Sequence, residues 1–313
     1  MTFNKRLFGG AINTHILNKG NVKTIYADNS YLDVDIVERL DKDTVFNLYN
    51  ELGKTFPKYL GNDTFLYLSG DIINSRQLNR AKIKHIAMVL NDIHSKKVNK
   101  INTPTINSRL KLYEKVLKSY GVYTDTFKNT IEYLKKNQPK FKPVFIHGDF
   151  KLNNIKFEKD KVSGVFDLEF AKHSSHCEDI AWLFSDLWGD NNQWIGEFLK
   201  HYKGKVKKSE LEYWLVFAKL RFACIAIQQH ARGMHIKDVE LYVTGWRLAE
   251  IEKDLSVFNN LLKNKNNLNI IRFSLFTFLK LALRDLILSL VGKKSLSNTV
   301  KYICKGFGIY LKL

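Results

Sequence analysis

The sequence predicts an α+β fold of two lobes, with a small β-rich N-terminal lobe at residues 1–69 and a large, mainly helical C-terminal lobe at residues 70–313. Short apolar runs separated by turn residues are concentrated in the first lobe, which indicates strands. Most later segments carry apolar residues at helical spacing. Only 4 prolines and 17 glycines interrupt the 313 residues, so the regular elements can be long.

Composition excludes several classes of protein. With 45% hydrophobic and 13% aromatic residues, the chain can bury a sizeable core, which excludes disordered and collagen-like chains. The three cysteines are widely spaced and odd in number, so we expect neither a disulfide framework nor a cysteine-rich zinc module. The first residues lack the apolar run of a signal peptide, and we therefore expect a reducing, cytoplasmic location.

The N-terminal lobe is predicted to contain a hairpin, a helix and a further strand. Apolar runs flank a turn at residues 18–21, which predicts a hairpin over residues 14–26. Residues 41–53 carry apolar side chains at helical spacing and end at a glycine, which is typical of a helix and its C-terminus. Residues 64–68 form a further strand candidate, and a connector to the second lobe follows.

The C-terminal lobe is predicted to be helical around one β-hairpin. Residues 75–95 and 107–137 have helical periodicity, and the chain after Cys177 is almost wholly helical. Between these segments, residues 143–170 contain short β-like runs separated by polar turns. A hairpin formed by the last two runs would bring the polar residues at their ends together.

These polar residues carry the strongest chemical signal of the sequence. Asn154 follows Asp149 by five residues, and Asp167 stands near the end of the next β-like run. A carboxylate and an amide oxygen suit a hard divalent cation that bridges phosphates. A second carboxylate, free of the metal, can accept a proton from an attacking hydroxyl. This combination points to phosphoryl transfer.

Three motifs resemble the aminoglycoside phosphotransferase and choline/ethanolamine kinase superfamily. They are HGDFKLNN at residues 147–154, FDLEFA at residues 166–171 and EDIA at residues 178–181. Weaker matches lie at residues 8–13, which resemble the glycine loop of that group, and at residues 90–94, which resemble the end of one of its helices. The resemblance covers about residues 8–185 and implies a protein-kinase-like fold with ATP and Mg²⁺ as cofactors.

The resemblance implies roles for the site residues. Asp149 is similar to the family's catalytic base, and Lys151 stands where protein kinases keep a lysine that neutralises the transferred phosphoryl group. Asn154 and Asp167 resemble the magnesium ligands, and Glu169 resembles a further acidic position near the metal.

Two neighbours of these residues have structural roles by the same resemblance. His147 is expected to orient the catalytic loop through its ring, and Asp179 is expected to brace the loop from the start of a helix.

The nucleotide-binding residues are less sharply defined. Gly9, Gly10 and Asn13 match the glycine loop, although two glycines are equally typical of a plain turn. The family places a lysine or arginine on its third strand, where Lys23 is the nearest candidate and Arg39 is an alternative. The acidic partner of this cation has three candidates: Glu38, Asp41 and Asp43.

The charge balance leaves the question of partners open. Fifty Lys and Arg against thirty-one Asp and Glu give a net charge of +19, which either favours anionic partners or reflects a general drift toward Lys, Asn and Ile. Residues 261–313 contain ten Lys or Arg and one acidic residue, so this tail carries +9 of the total. Its amphipathic pattern suits either packing on the C-terminal lobe or peripheral contact with an anionic membrane. No nucleic-acid-binding module is recognisable.

The sequence therefore predicts a kinase that moves the γ-phosphate of ATP to a hydroxyl of a small molecule, such as a sugar, a glycolipid headgroup or an aminoalcohol. The alternatives are a choline or ethanolamine kinase proper and a nucleotide-binding pseudokinase. An aromatic cage for a quaternary ammonium could be formed by tryptophans of the helical half, although core packing is the simpler expectation. These tryptophans are Trp182, Trp188, Trp194, Trp214 and Trp246.

Overall fold

The computed structural model describes residues 5–7, 14–18, 20–25, 39–98, 101, 103–119, 123–185 and 192–233. The predicted tail at residues 261–313 lies outside them. The chain divides into two compact units. The first comprises Met1–Asp28, Val37–Pro104 and Pro139–Ala218, and the second comprises Asn29–Ile36, Thr105–Gln138 and Lys219–Leu313.

The elements follow one another along the described residues in the order strands, helix, strands, helices, strands and helices. The strands are β1 Lys5–Leu7, β2 Thr14–Asn18, β3 Asn21–Ile25, β4 Tyr59–Gly61, β5 Thr64–Leu66, β6 Asp71–Ile72, β7 Val144–Ile146, β8 Ile155–Glu158, β9 Lys161–Val165 and β10 Lys172–Ser174. The helices are α1 Lys42–Leu52, α2 Arg80–Ser95, α3 Ile106–Ser119, α4 Asp125–Lys136, α5 His176–Phe184, α6 Ile195–His201 and α7 Lys208–Gly233. In the part of the chain that is described, no helix combines the length and apolar character needed to cross a lipid bilayer.

The first sheet contains five antiparallel strands in the order β1-β2-β3-β5-β4. The hairpin predicted for residues 14–26 is confirmed as β2 and β3. The predicted helix at residues 41–53 is confirmed as α1, which begins after the N-cap Asp41 and ends before Gly53. Its Phe46 and Tyr49 rings meet the Phe65 ring edge to face, so α1 packs on β5.

A second sheet begins where the chain leaves the first one. After β5 in the first sheet, the chain forms β6, which pairs with β8 in a sheet of order β6-β8-β9. The segment between β5 and β6 is fixed to this second sheet because the Nζ atom of Lys156 donates to the Leu68 carbonyl at 2.6 Å. The Ser163 hydroxyl donates to the Ser69 carbonyl at 2.7 Å in the same way.

The predicted second hairpin is confirmed as β8 and β9, with Ile155 opposite Val165. A separate two-stranded sheet joins β7 to β10. Helix α2 covers this region with a stripe of buried residues at helical spacing, which matches the sequence pattern. The buried stripe of α2 consists of Ile83, Ile86, Ala87, Leu90 and Ile93.

The second unit contains α3, α4 and the later part of α7. Residues 107–137, which have helical periodicity, form the two helices α3 and α4. The two helices are joined by an ion pair from Glu114 on α3 to Lys135 on α4 at 3.0 Å, and Glu114 also pairs with Lys118 within α3 at 2.7 Å. These pairs lie at the surface of the unit, whereas Leu110, Phe127 and similar side chains are fully buried.

Candidate active site

The candidate site is built on the loop that follows β7. Gly148 in this loop has a φ of 78°, which is a left-handed conformation. A Cβ atom at this position would lie 2.0 Å from the carbonyl oxygen of Phe170, so a side chain cannot be accommodated without displacing the backbone. The loop therefore lies directly against the segment that follows β9, and only glycine permits this approach.

Asp149 is buried, with 4% of its surface exposed, and its carboxylate accepts hydrogen bonds from three side chains. The indole Nε1 of Trp182 donates to Oδ1 at 2.7 Å. On the other oxygen, Lys151 Nζ donates at 2.7 Å and Asn154 Nδ2 at 2.8 Å. The same Asn154 nitrogen also donates to the Asp149 carbonyl at 2.9 Å. Three of the predicted site residues are thus in direct contact.

His147 connects this loop to the end of β9. Its Nδ1 accepts from the backbone N–H of Asp149 at 3.2 Å, so Nε2 carries the hydrogen and donates to the Phe166 carbonyl at 3.0 Å. Burial lowers the pKa of this ring, which favours the neutral form that the two bonds require. The ring orients the loop, as the sequence predicts.

Asp179 holds the backbone of the same loop from the first turn of α5. Its two oxygens accept from the N–H groups of His147 and Gly148, each at 2.8 Å. His94 at the end of α2 adds a contact of 3.1 Å to the Asp179 carboxylate, and its other ring nitrogen lies 2.7 Å from the Tyr202 hydroxyl. The predicted brace is present, and it extends through His94 to the end of α6.

The β8–β9 hairpin brings Asp167 to the same place. The N–H of Phe166 donates to the Asn154 carbonyl at 3.1 Å, so the residue before Asp167 is bonded to the predicted amide ligand. Asp167 has a φ of 74°, which is a strained conformation for a residue other than glycine. The Tyr49 hydroxyl on α1 accepts from the backbone N–H groups of Asp167 at 2.8 Å and Leu168 at 3.3 Å, which stabilises this conformation.

The electrostatics of Asp167 show that acidic groups are crowded together. Burial and the neighbouring carboxylates of Glu169 and Asp149 raise the pKa of Asp167 well above its ordinary value, whereas the charges of Lys151 and Arg39 act in the opposite direction. A divalent cation beside these carboxylates would relieve their mutual repulsion. The predicted carboxylates therefore lie within electrostatic reach of one another.

Glu169 is held by the segment that leads into α1. The backbone N–H of Leu40 donates to the Glu169 carbonyl at 2.8 Å, and Arg39 Nε lies 3.6 Å from Oε2 of its side chain. Nε and Nη2 of Arg39 are buried and have no hydrogen-bond partner among the described residues. This guanidinium therefore retains donors for a further acceptor beside the carboxylates.

The remaining predicted residues lie elsewhere or outside the described part of the chain. Lys23 lies in β3 with an exposed side chain. Asp41 accepts from the Thr44 N–H at 2.8 Å as the N-cap of α1, and Asp43 is exposed in the first turn of that helix. Outside the described residues lie Gly9, Gly10, Asn13 and Glu38.

The donor set fits a magnesium ion whose coordination is completed by phosphates. Nδ2 of Asn154 is turned toward Asp149, so its amide oxygen is directed away from that bond and can serve as a ligand together with Asp167. No group of three or more His, Cys, Asp or Glu side chains within the described ranges is arranged to hold a metal on its own. Mg²⁺ commonly binds through one or two carboxylates plus substrate phosphates, which is what these residues offer.

Three functional contacts are not apparent from the sequence. Trp182 is three residues after Asp179 on a helix, so the spacing indicates that both side chains lie on one face. The spacing does not predict the hydrogen bond from Trp182 to Asp149. Tyr49 has the spacing of a core residue, and its hydroxyl acts across 118 residues of sequence. Tyr202 likewise reaches His94 over 108 residues.

Two of the three tryptophans that the structure describes are core residues and give no support to an aromatic cage, whereas Trp194 is half-buried just before α6. Trp182 and Trp214 are almost fully buried, with 2% and 1% of their surfaces exposed. Trp214 packs edge to face against Phe141 and Phe217, which is core packing. Trp188 and Trp246 lie outside the described residues.

Comparisons with known proteins find one matching family model and several solved structures of similar fold. Residues 75–214 match the model of the phosphotransferase enzyme family, whereas no curated protein matches the chain. The gentamicin complex of APH(2'')-IIa is 20% identical, with a TM-score of 0.61 over 81% of this chain and 91% of that one. ADP-bound aminoglycoside phosphotransferase APH(2'')-Ib is 18% identical, with a TM-score of 0.57 over 80% and 92%. A choline/ethanolamine kinase family protein from Mesorhizobium loti is 14% identical, with a TM-score of 0.62 over 88% and 92%.

These similarities confirm two predictions from the sequence. The resemblance to the aminoglycoside phosphotransferase and choline/ethanolamine kinase superfamily is confirmed by the family match and by the kinds of protein that share the fold. The α+β, protein-kinase-like fold class is confirmed as well.

Proposed function

Because residues 75–214 match the phosphotransferase enzyme family, we propose that this chain is an ATP-dependent kinase that moves the γ-phosphate to a hydroxyl of a small molecule. The observation that carries the proposal is the contact of Asp149 with Lys151 and Asn154, next to the strained Asp167. Phosphoryl transfer depends mainly on positioning and on neutralisation of charge, and these residues supply both.

Each residue of this group has a role in the proposal. Asp149 accepts the proton of the acceptor hydroxyl, and its three hydrogen-bond donors hold the carboxylate in one orientation. Lys151 lies beside the same carboxylate and stabilises negative charge on the transferred group. Asn154 and Asp167 would hold Mg²⁺, with Glu169 nearby. When bound, the ion neutralises charge on the nucleotide phosphates.

The lobe division at residue 69 is part of the proposal. The passage of the chain from the first sheet to the second between β5 and β6 supports it. Residues 1–69 would bind the nucleotide, with Gly9, Gly10 and Asn13 around its phosphates, and residues 70–313 would carry the catalytic loop and the acceptor site.

For the cation that positions the nucleotide, we favour Arg39 over Lys23. Arg39 lies beside Glu169 and acts electrostatically on Asp167, and two of its buried nitrogens lack a partner among the described residues. The Lys23 side chain is exposed on β3.

Arg39→Gln should therefore weaken the binding of Mg·ADP, measured by calorimetry, by about tenfold or more, the size expected for a lost charged hydrogen bond. Lys23→Gln removes the same charge as a control and should change binding little. A larger loss of Mg·ADP binding in Lys23→Gln than in Arg39→Gln would instead identify Lys23 as the cation that positions the nucleotide.

The acceptor class rests on the relatives and on charge. The relatives bear the names aminoglycoside phosphotransferase and choline/ethanolamine kinase family protein, whose acceptors are small molecules with hydroxyl groups. The net charge of +19 disfavours a cationic acceptor, since like charges repel during encounter. We therefore place a sugar or a glycolipid headgroup before choline or ethanolamine.

Release of ADP with a panel of acceptors tests the function. The panel contains hexoses, an anionic glycolipid, choline, ethanolamine and an aminoglycoside, each assayed with Mg·ATP. Asp149→Ala should reduce turnover with the preferred acceptor by at least about a thousandfold, because the group that orients and deprotonates the hydroxyl is lost. Lys84→Ala, an exposed position on α2, is the control and should leave turnover unchanged.

Turnover by Asp149→Ala at close to the wild-type rate would contradict the proposed base. A second candidate function, a nucleotide-binding pseudokinase, is favoured only by the exposed position of Lys23. Thermal stabilisation by Mg·ATP without release of ADP for any acceptor would favour the pseudokinase. Absence of both effects would exclude both candidates.

A further inference from the structure

One face of α5 contacts three consecutive residues of the catalytic loop. Asp179 binds the backbone N–H groups of His147 and Gly148, and Trp182 binds the side chain of Asp149. Asp179 and Trp182 are three residues apart, so they lie on the same side of the helix. The helix thus holds both the backbone of the loop and the carboxylate that it presents.

We propose that Trp182 is a positioning residue. Its indole N–H fixes the orientation of the Asp149 carboxylate, which accepts the proton of the acceptor hydroxyl during phosphoryl transfer. This inference rests on the proposed function, since it assigns to Trp182 the support of the proposed base. Trp182 itself would contact neither the nucleotide nor the acceptor.

The hydrogen bonds of Asp149 explain why one donor matters. Trp182 holds Oδ1, whereas Lys151 and Asn154 hold Oδ2, so each oxygen is directed by donors from a different element. The terminal torsion of an aspartate is broad and nearly twofold, so a carboxylate held through one oxygen alone is poorly defined. The donor from α5 removes this freedom.

Burial makes the indole a rigid support. Trp182 has 2% and Asp149 has 4% of its surface exposed, so water cannot readily replace the bond. A buried carboxylate that loses a donor retains the cost of its desolvation without compensation. The indole ring has only two side-chain torsions, and it holds its donor in place at little entropic cost.

The first experiment observes the contact without turnover. In protein labelled with ¹⁵N at tryptophan, the five tryptophans give five indole N–H resonances. Asp149→Ala should displace one of these resonances far more than the other four, because one indole loses a charged acceptor. Trp182→Phe should remove that same resonance. Equal, small displacements of all five resonances would overturn the inference.

The second experiment measures what the contact does. Trp182→Phe retains an aromatic ring but loses the donor, and we expect kcat for phosphate transfer to fall about tenfold to a hundredfold, with the KM for nucleotide nearly unchanged. Trp214→Phe makes the same replacement at an equally buried tryptophan on α7 and should leave kcat unchanged. Thermal unfolding of both variants shows whether their folds are equally affected.

The outcomes separate this inference from the proposed function. An active wild type with an unchanged kcat in a folded Trp182→Phe variant overturns the role of Trp182 alone. A wild type that transfers phosphate to none of the acceptors overturns the proposed function, and the kinetic role of Trp182 falls with it. If Trp182→Phe does not fold, a displaced indole resonance in Asp149→Ala still supports the contact, and its absence still contradicts it.

Discussion

Two residues with left-handed backbone conformations show how the site is built at the scale of single residues. Gly148 has a φ of 78° and lies so close to the Phe170 carbonyl that no side chain fits, whereas Asp167 has a φ of 74° although it carries a side chain. Such a conformation costs a residue with a side chain about 1–3 kcal/mol. At Asp167 this cost is partly offset by the two hydrogen bonds that the Tyr49 hydroxyl accepts from the backbone N–H groups of Asp167 and Leu168.

A pair of glycine substitutions separates backbone strain from steric contact. Gly148→Ala should lower the free energy of unfolding by about 2–4 kcal/mol, since it adds an overlap with the Phe170 carbonyl to the strain of a positive φ. Gly20→Ala, in the turn of the β2–β3 hairpin, has nearly the same φ of 79° but no neighbour within 4 Å, so it should cost only about 1 kcal/mol. Urea unfolding measures both. Equal losses would mean that the approach of Phe170 is unimportant.

At the scale of elements, most contacts of the site join segments that are far apart in sequence. Helix α1 supplies Tyr49, α5 supplies Asp179 and Trp182, and α2 supplies His94. Each of these helices also has a buried apolar face, so its polar contact is placed by core packing. A mutation in the core of α5 would therefore disturb the catalytic loop even without touching it.

The junction of α3 and α4 gives an element-scale prediction of pH dependence. Hydrogen bonds from Lys118 and Lys135 lower the pKa of Glu114 to about 2, from a usual value of 4.5. Because the folded-state pKa is depressed, the stabilisation is complete above pH 4.5 and is lost as the pH falls toward 2. Glu114→Gln should thus lower Tm at pH 7 by a few degrees, consistent with about 0.5–1 kcal/mol for a partly exposed pair.

Measurement of Tm from pH 7 to pH 3 tests this prediction. The difference between the wild type and Glu114→Gln should shrink as the pH falls below 4.5. Glu51→Gln changes an exposed carboxylate on α1 and serves as the control. A difference for Glu114→Gln that stays constant over this range would exclude an ionic origin.

At the scale of the whole molecule, the net charge of +19 is concentrated in the tail. It indicates either an anionic partner or a general drift of the composition toward Lys, Asn and Ile. The tail contributes +9, which is enough to attract an anionic bilayer surface. Peripheral membrane contact would also agree with a glycolipid headgroup as acceptor. We propose both the membrane contact and the glycolipid acceptor for this protein.

Neutral substitutions in the tail test membrane contact without truncation. Flotation with vesicles of anionic phospholipid at low salt should weaken by more than about tenfold, at roughly 1 kcal/mol per charge, when four lysines of the tail are replaced by glutamine. These lysines are Lys293, Lys294, Lys301 and Lys305.

A matched control removes the same charge from an exposed segment of the first unit. The four positions are Lys203, Lys205, Lys207 and Lys208. This control variant should float almost as well as the wild type. Equal weakening of both variants would indicate attraction by overall charge, and no flotation of the wild type would exclude the membrane contact.

Local patterns predicted the elements that are long or strongly periodic. The hairpin of β2 and β3, helices α1 and α2, and the hairpin of β8 and β9 are all confirmed. Strands β4, β6 and β10 were missed because two or three residues are too few to show an alternating pattern. The helical pattern over residues 107–137 is confirmed as α3 and α4, although the periodicity alone does not show where one helix ends and the next begins.

The sequence by itself determined which residues are the candidates for the proposed chemistry. Asp149, Asn154 and Asp167 stand on short segments whose pairing depends on local turns, so their convergence could be predicted from spacing. Only the tertiary structure decided which groups surround them. Trp182, Tyr49 and Arg39 reach the site from segments whose packing depends on contacts over long stretches of chain, and no local pattern encodes which buried side chain will meet a given carboxylate or amide.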